Sequence, residues 1–208
     1  MCGFAGFVGE VENREQVLEN MIDTIIHRGP DSSGKFVDED AALGFRRLSI
    51  IDLSESGDQP LYNEDRSKVL VFNGEIYNYQ ELREELIQAG HTFVSNTDSE
   101  TLIHGYEQWG EELVYRLRGM YAFAIWDQKA KRLFSARDIF GIKPLYYAQM
   151  NGTLMFGSEI KSFLEHPKFD KVFNEDALGN YLSFQFVPTN ETFFKGVFCV
   201  QPGHYFVY

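Results

Sequence analysis

The chain has 208 residues, 44% of them apolar and 15% aromatic, enough to bury a sizeable core and far from the composition of disordered chains. Its formal net charge of -12 argues against nucleic acid or an anionic membrane as partner, because both select for clustered Lys and Arg. Two cysteines are too few for a disulfide scaffold of this size and fit a reducing cytoplasm.

The N-terminus, MCGFAGFVGEVENREQ, lacks a basic n-region and reaches acidic residues too soon for a signal peptide. No apolar run has transmembrane length. Residues 3–9 (GFAGFVG) are expected to form a buried strand whose glycines allow close backbone approach. Val17, Met21, Ile22, Ile25 and Ile26 then recur at helical spacing, and the HRGPD turn should stop that helix.

Strands are expected at 42–52, 68–76, 119–127, 132–138, 144–150 and 153–159, all rich in β-branched and aromatic residues and separated by turn residues. Two helices interrupt them: YQELREELIQAG, with Gly90 as its stop, and SETLIHGYEQWG, with Asp98 as a natural N-cap. Runs such as VLVF and FAIW are apolar on both faces, which implies sheets covered on each side and an α/β/β/α layering. No repeat or linker divides the chain, so a single α+β domain is expected over 1–208. The last segment, KGVFCVQPGHYFVY, stops in what reads as a strand, as an excised domain would.

Cys2 is the most informative position for chemistry. Removal of Met1 would leave one residue carrying both a thiol and a free α-amine. With an ordinary pKa of about 7.7–8.0, that amine can take the thiol proton, so nucleophile and base share a residue. The bland alternative is a small packed cysteine. An acyl-transfer nucleophile also needs donors for the oxyanion, worth roughly 3–4 kcal/mol for a well-placed group. Asn73 and Gly74, after the VLVF run, can supply a side-chain amide and a backbone N–H. Asn-Gly is equally the strongest signal for a type I′ hairpin turn.

MCGFAGFVG, HRGPDSSG, FRRLSIIDL, QPLYN, FNGEIYNY, TDSETL, RDIFGIKPLYY, GSEIKSF and PGHY occur in this order. Together they resemble the N-terminal glutaminase domain of the glutamine-hydrolysing asparagine synthetase family, over essentially the whole chain. The resemblance implies an N-terminal-nucleophile (Ntn) hydrolase fold, a four-layer sandwich of two mainly antiparallel sheets, and class II amidotransferase activity on L-glutamine. It places the nucleophile on Cys2 and the oxyanion pair on Asn73 and Gly74.

A zwitterionic substrate needs a cation for its α-carboxylate and acceptors for its α-ammonium. The resemblance puts these on Arg47, with Arg46 as the rival, and on Glu75 and Asp98. Backbone near Leu48, Ile50 and Ile51 is expected to line the glutamine pocket. His27 is expected to be a buried structural histidine, and Arg137, Asp138 and Glu159 to form structural ion pairs or contact a partner domain. The five histidines and two cysteines show no metal-ligand spacing, so no metal or other cofactor is expected here. ATP and Mg are expected only with a synthetase domain, whose SGGxDS-type loop does not occur in these residues. That domain, on the same polypeptide, is the expected partner, and a homodimer of the full-length protein stays open. FNGEIYNY and GIKPLYY favour this branch over amidotransferases of amino-sugar, purine or glutamate synthesis, and intact Cys2, Arg47, Asn73, Gly74, Glu75 and Asp98 argue against a decayed regulatory domain. They do not choose between aspartate and another acceptor of the ammonia.

Overall fold

The computed structural model describes residues 2–48 and 57–208. β1 (Gly3–Val8) begins immediately after Cys2 and runs through the middle of a sheet. Its neighbours there are β3 (Ala41–Arg47) and β9 (Thr153–Gly157), with β2 (Ser32–Val37) beyond the first and β8 (Tyr146–Met150) and β10 (Val197–Cys199) beyond the second. A second sheet runs in the order β11 (Tyr205–Val207), β7 (Arg132–Arg137), β6 (Gly119–Asp127), β5 (Lys68–Ile76) and β4 (Leu61–Tyr62). The ladders among these strands are antiparallel.

The period of two along each strand sorts its side chains between two cores. Phe4 and Val8 of β1, Leu43 and Phe45 of β3, Val69 and Val71 of β5, and Ala124 and Trp126 of β6 meet between the sheets. The alternate residues face outward onto helices. Ala5, Phe7 and Ala42 pack against Val17, Leu18, Met21 and Ile22 of α1 (Arg14–Asp23). Leu70, Phe72, Phe123 and Ile125 pack against Leu82 of α2 (Tyr79–Gln88) and Leu102, Ile103 and Tyr106 of α3 (Asp98–Trp109). The result is the α/β/β/α sandwich that strands apolar on both faces require. Removing a fully buried anchor such as Trp126 or Phe45 costs about 3–5 kcal/mol, lost transfer energy plus the cavity left behind.

Several local expectations are corrected. α1 ends at Asp23, so Ile25 and Ile26 lie past it; Ile25 is buried and Ile26 exposed at the start of a short 3-10 turn, Ile26–Arg28. The N-cap of α3 is Thr97 rather than Asp98. Asn73-Gly74 is no hairpin turn: both residues lie inside β5, opposite Ala122 and Tyr121 of β6. A Cβ on Gly74 would stand 2.2 Å from the Met120 carbonyl oxygen, so glycine is what lets the strands approach here. β2, β4 and α4 (Glu175–Phe184) add to the expected elements. Leu182 of α4, with Phe184 and Phe186 at its end, is left exposed.

Candidate active site

Strand register brings the predicted residues to one end of the space between the sheets. β1 and β3 pair with Gly3 opposite Arg46, so one step outward Cys2 and Arg47 share an edge. Cys2 packs against the inter-sheet core. Arg47 follows Leu43 and Phe45 at the same parity and therefore points to the same side. Across the gap, β5 and β6 pair without a bulge, so Asn73 and Glu75 continue the inward face begun by Val69 and Val71. Nucleophile candidate, guanidinium, amide and carboxylate thus open on one mouth.

The thiol is held by backbone. The Leu48 N–H donates to Cys2 Sγ at 3.3 Å, and Sγ lies 3.6 Å from the Leu48 carbonyl oxygen. Behind Cys2, the Arg28 Nε–H donates to the Cys2 carbonyl oxygen at 3.0 Å, and Arg28 pairs with Glu159 at 2.9 Å. Ser158 closes the other side, its Oγ accepting from the Phe4 N–H at 3.1 Å. The HRGPD and GSEIKSF segments therefore converge on the backbone that carries Cys2. Burial would raise the Glu159 carboxyl, but hydrogen bonds from Arg28, His27 and Lys161 outweigh it and hold the pKa below its ordinary value. His27 is half exposed rather than buried, 2.9 Å from Glu159, on the outer side of this network. Arg28 escaped the sequence reading because nothing in HRG distinguishes a backbone anchor from a surface arginine.

The choice between Arg46 and Arg47 follows from parity. Arg46 faces α1, where Nε donates to the Ile22 carbonyl oxygen at 3.3 Å and the guanidinium pairs with Asp23. Arg47, nearly buried, faces the mouth and pairs with Asp58 at 2.8 Å. Gly57 lies flat against it, where a Cβ would come within 2.4 Å of Nη2. Gln59 pins the preceding part of β5, accepting from the Phe72 N–H at 2.6 Å and donating to its carbonyl oxygen at 3.2 Å. Next along the strand, Asn73 is buried, and its Nδ2 has no hydrogen-bond partner among the described residues.

At the rim, the Asp98 carboxylate accepts from the Ile76 N–H at 2.8 Å and ties α3 to the end of β5. Burial raises its pKa above 3.8; the Ile76 N–H works against this, and the negative charge of Glu75 adds to it. Two carboxylates that repel each other at a pocket mouth are stabilised by a cation between them. Ile50, Ile51 and Met1 lie outside the described residues, so the pocket wall expected from the first two is not placed.

The arrangement offers a thiol, a buried amide donor with no partner among the described residues, a guanidinium and an acidic rim. The sequence profile described as a glutamine amidotransferase domain covers residues 1–208. The chain belongs to this family. It is 47% identical to glutamine-hydrolyzing asparagine synthetase 1 of Bacillus subtilis (strain 168), over 99% of the chain and 33% of that protein. A protein called amidase chyE, of Penicillium rubens, is 38% identical over all of the chain and 32% of its own length. The chain therefore spans about a third of the curated relatives it matches. Among solved structures, the glutamine phosphoribosylpyrophosphate amidotransferase of B. subtilis, complexed with ADP and GMP, superposes with a TM-score of 0.67 at 23% identity over 78% of this chain and 43% of that one. The fold of this glutamine amidotransferase domain is that of the Ntn hydrolases.

Proposed function

We propose that the domain hydrolyses L-glutamine to glutamate and ammonia through Cys2, and that a synthetase region of the same polypeptide consumes the ammonia, with aspartate as first candidate acceptor. The observation that carries the reading is the partnerless, buried Asn73 amide on the face shared with Cys2. A buried donor without a partner costs about 1–3 kcal/mol, a cost that a bound substrate's developing oxyanion would cancel.

In the proposed reaction Cys2 Sγ attacks the side-chain amide carbon, and the thiol proton passes to the α-amine freed by loss of Met1. The oxyanion rests on Asn73 Nδ2 and the Gly74 N–H. Collapse breaks the C–N bond as the ammonium protonates the leaving nitrogen. Ammonia departs and a glutamyl thioester remains. Water, deprotonated by the same amine, releases glutamate and restores the thiol. Arg47 holds the substrate α-carboxylate, while Glu75 and Asp98 hold its α-ammonium. These steps use only this chain's own groups; ATP and Mg would act in the synthetase region.

Support for a fused partner comes from relatives about three times as long and from apolar side chains left uncovered at α4 and at Ile139, Phe140 and Ile142. The two half-buried free cysteines suit a reducing compartment such as the cytoplasm. Relatives bearing amidase names keep acceptors other than aspartate within the same reading. The test is glutamate release by protein whose intact mass shows loss of Met1, beside Cys2→Ala. Turnover should vanish in the variant and in any Met1-retaining fraction. Undiminished activity in either overturns the mechanism.

A further inference from the structure

Away from the mouth, on α3, the fold gathers a second set of reactive side chains that the glutaminase chemistry does not use. Ligand atoms of Glu64, His91 and His104 all lie within 4.8 Å of one another. They come from three separate segments: the loop after β4, the loop between α2 and α3, and α3 itself. Sequence spacing gave no sign of this, because the residues are brought together only by the packing of α3 on the second sheet.

Both imidazoles have polar neighbours on the side away from the cluster, a hydrogen bond for His91 and an ion pair for His104. His91 Nε2 is 3.1 Å from Gln108 Oε1, and an amide oxygen can only accept, so that nitrogen carries the proton and the lone pair sits on Nδ1. His104 Nε2 faces the Glu100 carboxylate at 3.7 Å, which leaves its Nδ1 on the opposite side. Both Nδ1 atoms turn toward one oxygen, Glu107 Oε2, at 3.9 Å from His91 and 3.1 Å from His104. Glu64 Oε2 approaches His104 Nδ1 at 3.9 Å. The other oxygen of Glu107 accepts from Asn63 Nδ2 at 2.6 Å, which fixes that carboxylate.

The outer hydrogen bonds that set the tautomer of His91 and the pose of Glu107 are of the kind that supports a metal centre. Around a tetrahedral ion with bonds of about 2.0–2.2 Å, ligand atoms stand about 3.3–3.5 Å apart. The separations to His104 Nδ1 and Glu107 given above run from 3.1 to 3.9 Å, the Glu64, His91 and His104 atoms lie within 4.8 Å of one another, and Glu64, half exposed on its loop, has room to move in. Glu100 already ties the neighbouring loop to α3 through the Val94 and Ser95 N–H groups and the Ser95 hydroxyl.

We infer that His91 Nδ1, His104 Nδ1, Glu64 and Glu107 form a structural site for a zinc-class divalent ion. Imidazole with carboxylate selects zinc or a similar transition metal over magnesium or calcium, which take oxygen alone. Four protein ligands leave no open position, so the ion would clamp the two loops to the helix that carries Asp98 at its start and take no part in turnover.

The experiment is zinc titration of EDTA-stripped protein against a chromophoric chelator, run on the wild type, Cys2→Ala, His91→Gln and Glu64→Gln. Glu64 is half exposed and His91 only partly so, and a melting curve of each metal-free variant establishes that it is folded before affinities are compared. One zinc per chain should bind to the wild type and to Cys2→Ala alike. Affinity should fall about tenfold or more in each ligand variant. Zinc should raise the melting temperature of the wild type and not that of His91→Gln. Substituted cobalt should show tetrahedral ligand-field bands without thiolate charge transfer. Equal affinity in wild type and His91→Gln, binding that disappears with Cys2, or no stoichiometric binding would overturn the site and leave His104 as an ion-paired helix residue.

Discussion

Two regions rich in charged and polar motif residues behave in opposite ways, the mouth around Cys2 and the loop that follows β7. Around the loop, the charges of Arg137 and Asp138 are satisfied within the fold. Asp138 is fully buried and its carboxylate accepts from the N–H groups of Tyr121, Phe140, Ile142 and Lys143 at 2.9–3.2 Å. Arg137 donates to the carbonyl oxygens of Lys143, Val200 and Gly141 and to Cys199 Sγ. At the mouth, an amide nitrogen lacks a partner and two carboxylates face each other. A saturated charge has nothing left for a ligand, whereas an unsatisfied donor beside a thiol does. Lack of a partner is not sufficient alone: His166 Nε2 is also buried without one, but it stands against the Phe7 ring, far from any nucleophile.

The contrast breaks most sharply at Asp138. Asp138→Ala strands four backbone donors, those of Tyr121 and Lys143 in the interior, and should cost about 3–5 kcal/mol, read by denaturant unfolding, while turnover per folded molecule stays near wild type. A fall in kcat without a fall in stability would move the loop into the active site. Next comes Arg47→Ala, expected to raise the glutamine KM by roughly 10–100-fold, about 1.4–2.8 kcal/mol, with kcat less affected. An unchanged KM would place the carboxylate contact elsewhere.

A smaller effect tests the acidic rim. Substrate ammonium needs ionised Asp98, whose pKa is raised by burial and by Glu75. The acid side of kcat/KM should therefore hold, besides the limb of the α-amine, a second step above pH 3.8 that shifts downward in Glu75→Gln and is lost in Asp98→Asn. A step unmoved by Glu75→Gln would separate the two carboxylates. An effect on stability alone belongs to His166, whose pKa is lowered to about 4 by burial first and then by Lys168. The unfolded imidazole protonates near 6.5, so between these values the unfolded state binds more protons. Stability should be full above pH 6.5, fall as pH drops toward 4, and lose that slope in His166→Phe. An identical slope in the variant would assign the loss to carboxylates.

Much of this was legible in the sequence because it rests on local pattern. Runs apolar on both faces, VLVF and FAIW, announced sheets covered on each side, and they lie in β5 and β6. Asn73-Gly74 misled as a turn signal because the pairing of β5 with β6 continues past it, a tertiary effect that overrides local preference. β2 was missed because SSGKFV is a half-buried edge strand with little apolar content. Strand parity, which sends Arg46 to α1 and Arg47 to the mouth, needs the register with β1 and cannot be had from RRLSI alone. The joint hold of Arg28 and Ser158 on the Cys2 end of β1 spans more than a hundred residues of separation, and so does not appear in any window of sequence.

The most direct measurement is steady-state glutamine hydrolysis by Asn73→Ala, with its melting temperature taken alongside. If the partnerless amide is the oxyanion donor, kcat should fall about 10²–10³-fold with KM little changed and the fold no less stable than wild type. Wild-type kcat in this variant, or a loss of activity that only tracks unfolding, would contradict the assignment.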